Sequence, residues 1–163
     1  MNDIITLIAN LALALSFVVG LIFGIAQVKA AARDRKERLT LETLRTFRTH
    51  EFAEIMQRIN TMEIPSTFEE WRKLPDKDQV MFIHFTQEME TLGILVAKHY
   101  INIGLVDITL GSYVTTIWNK LKPSVTDMRV KIPDPYLNEY FQWLAERIDE
   151  RMRNNPRKPF HEL

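Results

Sequence analysis

Hydrophobic and polar positions divide the chain sharply near its start. No residue between Asp3 and Lys29 carries a charge, and Ile4 to Val28 is a run of 25 uncharged, mostly apolar residues. As a helix rising 1.5 Å per residue it would be about 37 Å long, against about 30 Å of bilayer hydrocarbon. It can span with some tilt. A cleavable leader needs a basic start and a shorter apolar stretch, whereas this chain opens Met1-Asn2-Asp3. The expectation is an uncleaved transmembrane anchor over residues 1–28.

The span is two-faced. Thr6, Asn10, Leu13, Phe17, Gly20, Gly24 and Gln27 recur at alternating spacings of four and three, which places them on one helical stripe. Ser16, on its edge, forms a small-xxx-small ladder with Gly20 and Gly24. Ile4, Ile8, Leu11, Leu15, Val18, Val19 and Ile22 make an opposite face suited to lipid. A helix alone in lipid has no use for this segregation, so the expected partner is a second copy or another membrane protein. In a larger homo-oligomer the same stripe would line a pore, with Thr6 and Asn10 wet and Leu13 and Phe17 as the constriction.

Beyond the span, Lys29 to Met62 contains neither Gly nor Pro, and a long juxtamembrane helix over 29–62 is predicted. Its later apolar positions (Leu41, Leu44, Phe52, Ile55, Ile59, Met62) share a face that Arg48 interrupts. Ser66-Thr67-Phe68-Glu69 reads as a capping box opening a short helix with Trp71. Asp76 to Gln79 is another start signal, for a helix over Lys77–Ile101 with the seam Phe82, Phe85, Met89, Leu92 and Val96. Gly104 is predicted to end that helix, Asp107 to cap the next and Lys122-Pro123 to stop it, leaving Val125, Met128 and Arg129 in a turn. Asp134 and Pro135 are predicted to start a last helix bearing Leu137, Tyr140, Phe141, Leu144, Ile148 and Met152.

No strand pattern and no internal repeat stands out. The expected fold is all-α: a single N-terminal transmembrane helix continuing into a cytoplasmic helical bundle of four to five helices. The bundle domain is placed at 63–152, packing on 41–62, with a frayed tail at 153–163.

Charge adds orientation. Lys29, Arg33, Arg35, Lys36 and Arg38 outweigh Asp34 and Glu37 just after the span, while only Asp3 precedes it. The positive-inside bias then puts the N-terminus outside and the rest in the cytoplasm, with the basic turn beside anionic lipid. Over the whole chain 21 Lys and Arg balance 21 Asp and Glu, which points to no polyanionic partner. A C-terminal cluster (Arg147, Arg151, Arg153, Arg157, Lys158) stands against Asp149 and Glu150. Lacking a groove-reading motif, it reads as a solvated helix end and not as a nucleic-acid surface.

Candidate chemistry is thin. The chain has no cysteine, so disulfides, thiolate metal sites and a Cys nucleophile are excluded. Its five glycines make no phosphate-binding loop. His50-Glu51-Phe52-Ala53-Glu54 has Glu54 where a zinc protease needs its second His, and no Glu-x-x-His motif occurs. No metal, cofactor or catalytic residue is therefore expected. His84 and Glu88 read as a surface pair, and His99 as a helix-end residue. Glu90 sits between Met89 and Leu92 at the edge of an apolar face, where a carboxylate needs a donor or contact with water. Arg129 is its candidate partner in a structural ion pair. A solvated Glu90, or an acid working with His84 or His99, are the alternatives.

Several stretches carry a resemblance. Phe85 to Val96 (FTQEMETLGILV), Asn102 to Val106, Trp118 to Pro123, Arg129, and Tyr140 to Leu144 resemble a bacterial family of short proteins catalogued only as a domain of unknown function. Its most specific parts here are Glu90 with Leu92-Gly93, and Trp118 with Leu121-Lys122-Pro123 followed by Arg129. Many relatives would carry an acid where this chain has Gln142. The resemblance implies an N-terminal helix in a bacterial inner membrane and a helical cytoplasmic domain. It implies no activity or cofactor. The leading expectation is a non-enzymatic, membrane-anchored interaction module.

Overall fold

The computed structural model describes residues 2–158 and 160–162. Met1 in the expected anchor, and Pro159 and Leu163 in the expected tail, lie outside them. Among the described residues there are six α-helices and no strand: α1 (Asn2–Thr46), α2 (His50–Thr61), α3 (Phe68–Trp71), α4 (Asp76–Ala97), α5 (Ile103–Lys131) and α6 (Glu139–Asn154), then a 3₁₀ turn at Phe160–Glu162. The chain forms two compact units, Met1–Arg38 and Leu39–Leu163.

The first unit is the exposed part of α1. The second is a bundle built on the apolar seams of α4, α5 and α6, with α6 packed on both of the others and α3 on α5. Its centre is aromatic. Phe47, Phe52, Phe85, Phe141 and Trp118 follow one another at ring separations of 5.3, 6.2, 6.0 and 5.2 Å. Phe85, Phe141, Leu92, Leu144 and Ile148 are fully buried, and each such side chain is worth about 1.5–3 kcal/mol of burial.

Element boundaries depart from the sequence expectations in six respects, each for a local reason. The helix predicted over 29–62 is two helices. The chain turns at 47–49, where Thr49 is extended and its hydroxyl accepts from the Phe52 amide at 3.1 Å. Thr46 meanwhile donates its own hydroxyl to the Thr43 carbonyl at 2.7 Å. Threonine hydroxyls compete with the helix for its backbone groups, and Arg48, which interrupts the apolar face, lies in the break.

At α3 the cap is Thr67 paired with Glu70, one residue later than Ser66 and Glu69. The Phe68 amide also donates to Asp127 at 2.8 Å, which ties α3 to α5.

The end of α4 is marked by His99 and not by Gly104. His99 adopts φ 60°, while the Tyr100 amide donates back to the Leu95 carbonyl at 2.9 Å. Asn102, not Asp107, then caps α5, its Oδ1 accepting from the Gly104 amide at 2.8 Å. The Asn102 amide in turn donates to the hydroxyl of buried Thr40 at 2.9 Å.

Lys122-Pro123 does not stop α5, which runs for 29 residues through Pro123. Pro123 and Asn119 lie on the exposed side, so the carbonyl that loses its amide partner can bond to water. A proline there costs about 3 kcal/mol, opposed by the buried side chains on either side of it, among them Trp118, Leu121, Val125 and Met128. Finally, α6 begins at Glu139 after Asn138 at φ 56°. Asp134 accepts from the Tyr136 amide at 3.0 Å, closing a turn instead of capping the helix.

Candidate functional site

Of the described helices, α1 is the one long and apolar enough to cross a membrane. None of its most apolar stretch is buried. The predicted stripe of Thr6, Asn10, Leu13, Phe17, Gly20 and Gly24, with Ser16 on its edge, therefore lies on one continuous and exposed helix. A Cβ added at Gly20 or Gly24 would meet nothing within 4 Å. The basic turn follows on the same helix: Lys29, Arg33, Arg35 and Arg38 are exposed and Lys36 is half-buried. Arg33 spends part of its charge on Glu37 at 3.0 Å.

In the bundle, the residues that carry the family resemblance converge on the first turn of α6. The sequence expectation of a Glu90–Arg129 ion pair is not met. Glu90 instead accepts from the amides of Tyr140 and Phe141, at 3.1 and 2.8 Å. A carboxylate on the open amides of a helix start satisfies donors that have no partner within the helix, and it complements the helix dipole. Arg129 holds the same segment from α5, donating to the Leu137 carbonyl at 2.9 Å and to Gln142 Oε1 at 2.7 Å. Acid and base thus grip one helix start from two helices without touching each other.

Gly93 completes the clamp. A Cβ there would run into the carbonyl of Tyr140, so only glycine lets α4 and α6 approach this closely. Trp118 is buried with its ring edge-on to Phe141 at 5.2 Å. Trp118 Nε1, Ser124 Oγ and Arg129 Nη2 are buried without a hydrogen-bond partner among the described residues.

A groove of about 1080 Å³ lies between α2 and α4, with Ile55, Val80, Met81 and Ile83 among its apolar lining. His84 lines it, with Nε2 3.7 Å from Glu88, but Glu90 does not. The proposed acid–histidine arrangement is therefore not assembled there. At one end Arg58 grips buried Asp78 with two bonds of 3.0 and 2.7 Å. Those bonds from Arg58 hold the Asp78 carboxyl below the usual carboxylate range, against the opposing effect of desolvation. Among the described residues no three His, Cys, Asp or Glu side chains gather as metal ligands would.

Sequence reasoning missed Thr40, Asn102, Gly93 as a contact and the Arg58–Asp78 pair. Two signals were available. Asn is a preferred cap residue, and a glycine inside an apolar helical seam often marks a close approach. Nothing local could have paired Arg58 with Asp78, twenty positions apart.

No curated protein and no solved structure matches the chain. Residues 14–148 match the family described as Domain of unknown function (DUF4760), so the chain belongs to that family.

Proposed function

We propose that this protein is a non-enzymatic, membrane-anchored helical module that self-associates, or docks on another membrane protein, through the Gly20/Gly24 face of α1. One observation carries the reading: these two glycines lie mid-helix, and a Cβ added at either would meet nothing within 4 Å among the described residues. Glycine in a helix interior costs roughly 0.5–1 kcal/mol relative to alanine, and a surface outside the chain that packs against these positions would offset it. Closely packed membrane helices supply such a surface.

The setting is a bacterial inner membrane, with the N-terminus outside and the bundle in the cytoplasm. Five bases against two acids between residues 29 and 38 support that orientation. Crosslinking of the full chain in native membranes tests the reading, comparing wild type with Gly20→Leu/Gly24→Leu. Loss of the crosslinked species supports it; unchanged association removes the argument from the glycine face. The copy number matters as well, since a pore lined by Thr6, Asn10, Leu13 and Phe17 needs at least about four helices.

A further inference from the structure

The C-terminal arginines, which sequence reading leaves as a solvated helix end, are gathered by the fold. Arg147 and Arg151 on α6 and Arg157 beyond it line one cavity of about 430 Å³ against Gly104, Asp107 and Ile108 at the start of α5. The tail is thus not wholly frayed: Arg157 Nη2 reaches the Asp107 carbonyl at 3.3 Å and its Oδ1 at 3.5 Å. Three guanidinium groups face two carboxylates, Asp107 and Glu150.

Their pairing is uneven. Arg147 is committed to Glu150 at 2.7 Å. The Arg151 guanidinium makes no hydrogen bond among the described residues and approaches Asp107 only to 3.8 Å. Asp107 holds both remaining arginines loosely, its Oδ1 3.5 Å from Arg157 and its Oδ2 3.8 Å from Arg151. It is 6% exposed, and it is wedged beside Gly111, where an added Cβ would stand 2.7 Å from its Oδ1. A guanidinium offers five donors in a fixed fork, and most of those on Arg151 and Arg157 are unused. Arg153 does not line this cavity and is paired instead with Asp149.

We propose that this cavity binds a phosphate group, with Arg151 and Arg157 as its principal ligands and Asp107 as the carboxylate that competes with phosphate for them. Phosphate fits this chemistry because its oxygens take two parallel bonds from one guanidinium. The volume also leaves room for a small organic moiety on a monoester. The site is independent of the glycine face of α1. Its source is either a free phosphate compound or a phosphate monoester lipid headgroup.

The test uses the full chain in nanodiscs. Inorganic phosphate is titrated into discs of phosphatidylcholine, and in a second arm the discs contain phosphatidic acid. Binding is read from the chemical shifts of the Gly104 and Ile108 amides. Saturable shifts in the first arm identify a free ligand, and shifts with phosphatidic acid alone identify a headgroup.

In either case Arg151→Gln/Arg157→Gln should weaken binding at least tenfold, and Arg153→Gln should leave it within about twofold. Asp107→Asn keeps all three arginines and removes a competing negative charge, so it should bind phosphate several-fold more tightly. This variant separates a binding site from a purely structural ion pair. The proposal is overturned if neither arm saturates, if the folded double arginine variant binds as wild type, or if Asp107→Asn binds no more tightly than wild type.

Discussion

In the bundle, a methyl group added to Gly111 would stand 2.7 Å from Asp107 and 2.8 Å from Met152, and one on Gly93 would strike the Tyr140 backbone; on Gly20 or Gly24 it would meet nothing within 4 Å. The same residue type in helices of one chain therefore answers to two kinds of constraint. In the bundle, the cost of a glycine is offset by a close approach visible within the chain. In α1 no such approach occurs among the described residues. A glycine without an internal reason is evidence about an external one, provided the helix that carries it is otherwise well formed.

Substitution sharpens the contrast. Gly93→Ala should lose about 3 kcal/mol of bundle stability, because overpacking against backbone cannot be relieved by a rotamer change. Gly20→Ala and Gly24→Ala should leave the bundle's unfolding midpoint unchanged. Urea titration followed by tryptophan fluorescence measures both, and a tolerated alanine at 93 would break the comparison. Next in size, Glu90→Ala should cost about 2 kcal/mol, the usual scale for charged hydrogen bonds to buried amides. Glu90→Gln should fall between it and wild type in the same assay.

A smaller effect depends on pH. The Asp78 carboxyl is lowered mainly by its bonds from Arg58. The stability from that pair should be fully present above the ordinary carboxylate value of about 4, and lost as pH falls through the lowered one. The difference between wild type and Asp78→Asn should stay flat from about pH 5 to 8 and shrink below about pH 4. A difference that grows on acidification would contradict the assignment. Smallest, His99→Gly should stabilise the bundle by about 0.5–1 kcal/mol, since φ 60° suits glycine better than histidine. Thermal unfolding at neutral pH reads the gain.

Legibility followed the range of the physics involved. The charge-free run over residues 4–28 is a signal of length and composition and the seam from Phe82 to Val96 one of period 3.6, both readable from neighbours alone. The ends of helices were harder to read. His99 and Asn138 take left-handed conformations without being glycine, and Pro123 stays inside α5 on its exposed side, where Asn119, whose carbonyl it leaves without an amide partner, is also exposed. Glu90 could be recognised as an acid in need of donors. Its partners, however, are backbone amides fifty residues away, which carry no side-chain signature. Arg129 was rightly singled out and wrongly paired for the same reason. The arginine cavity was legible only as a list of charges until the fold brought Gly104 and Asp107 beneath them.

The glycine face of α1 is most directly tested by energy transfer between donor- and acceptor-labelled copies of the full chain at low density in lipid bilayers. The account predicts transfer above the random-proximity level for wild type, or for wild type mixed with its membrane partner. It predicts a fall to that level for Gly20→Leu/Gly24→Leu while the bundle stays folded. Wild-type and doubly substituted chains giving the same transfer would contradict it.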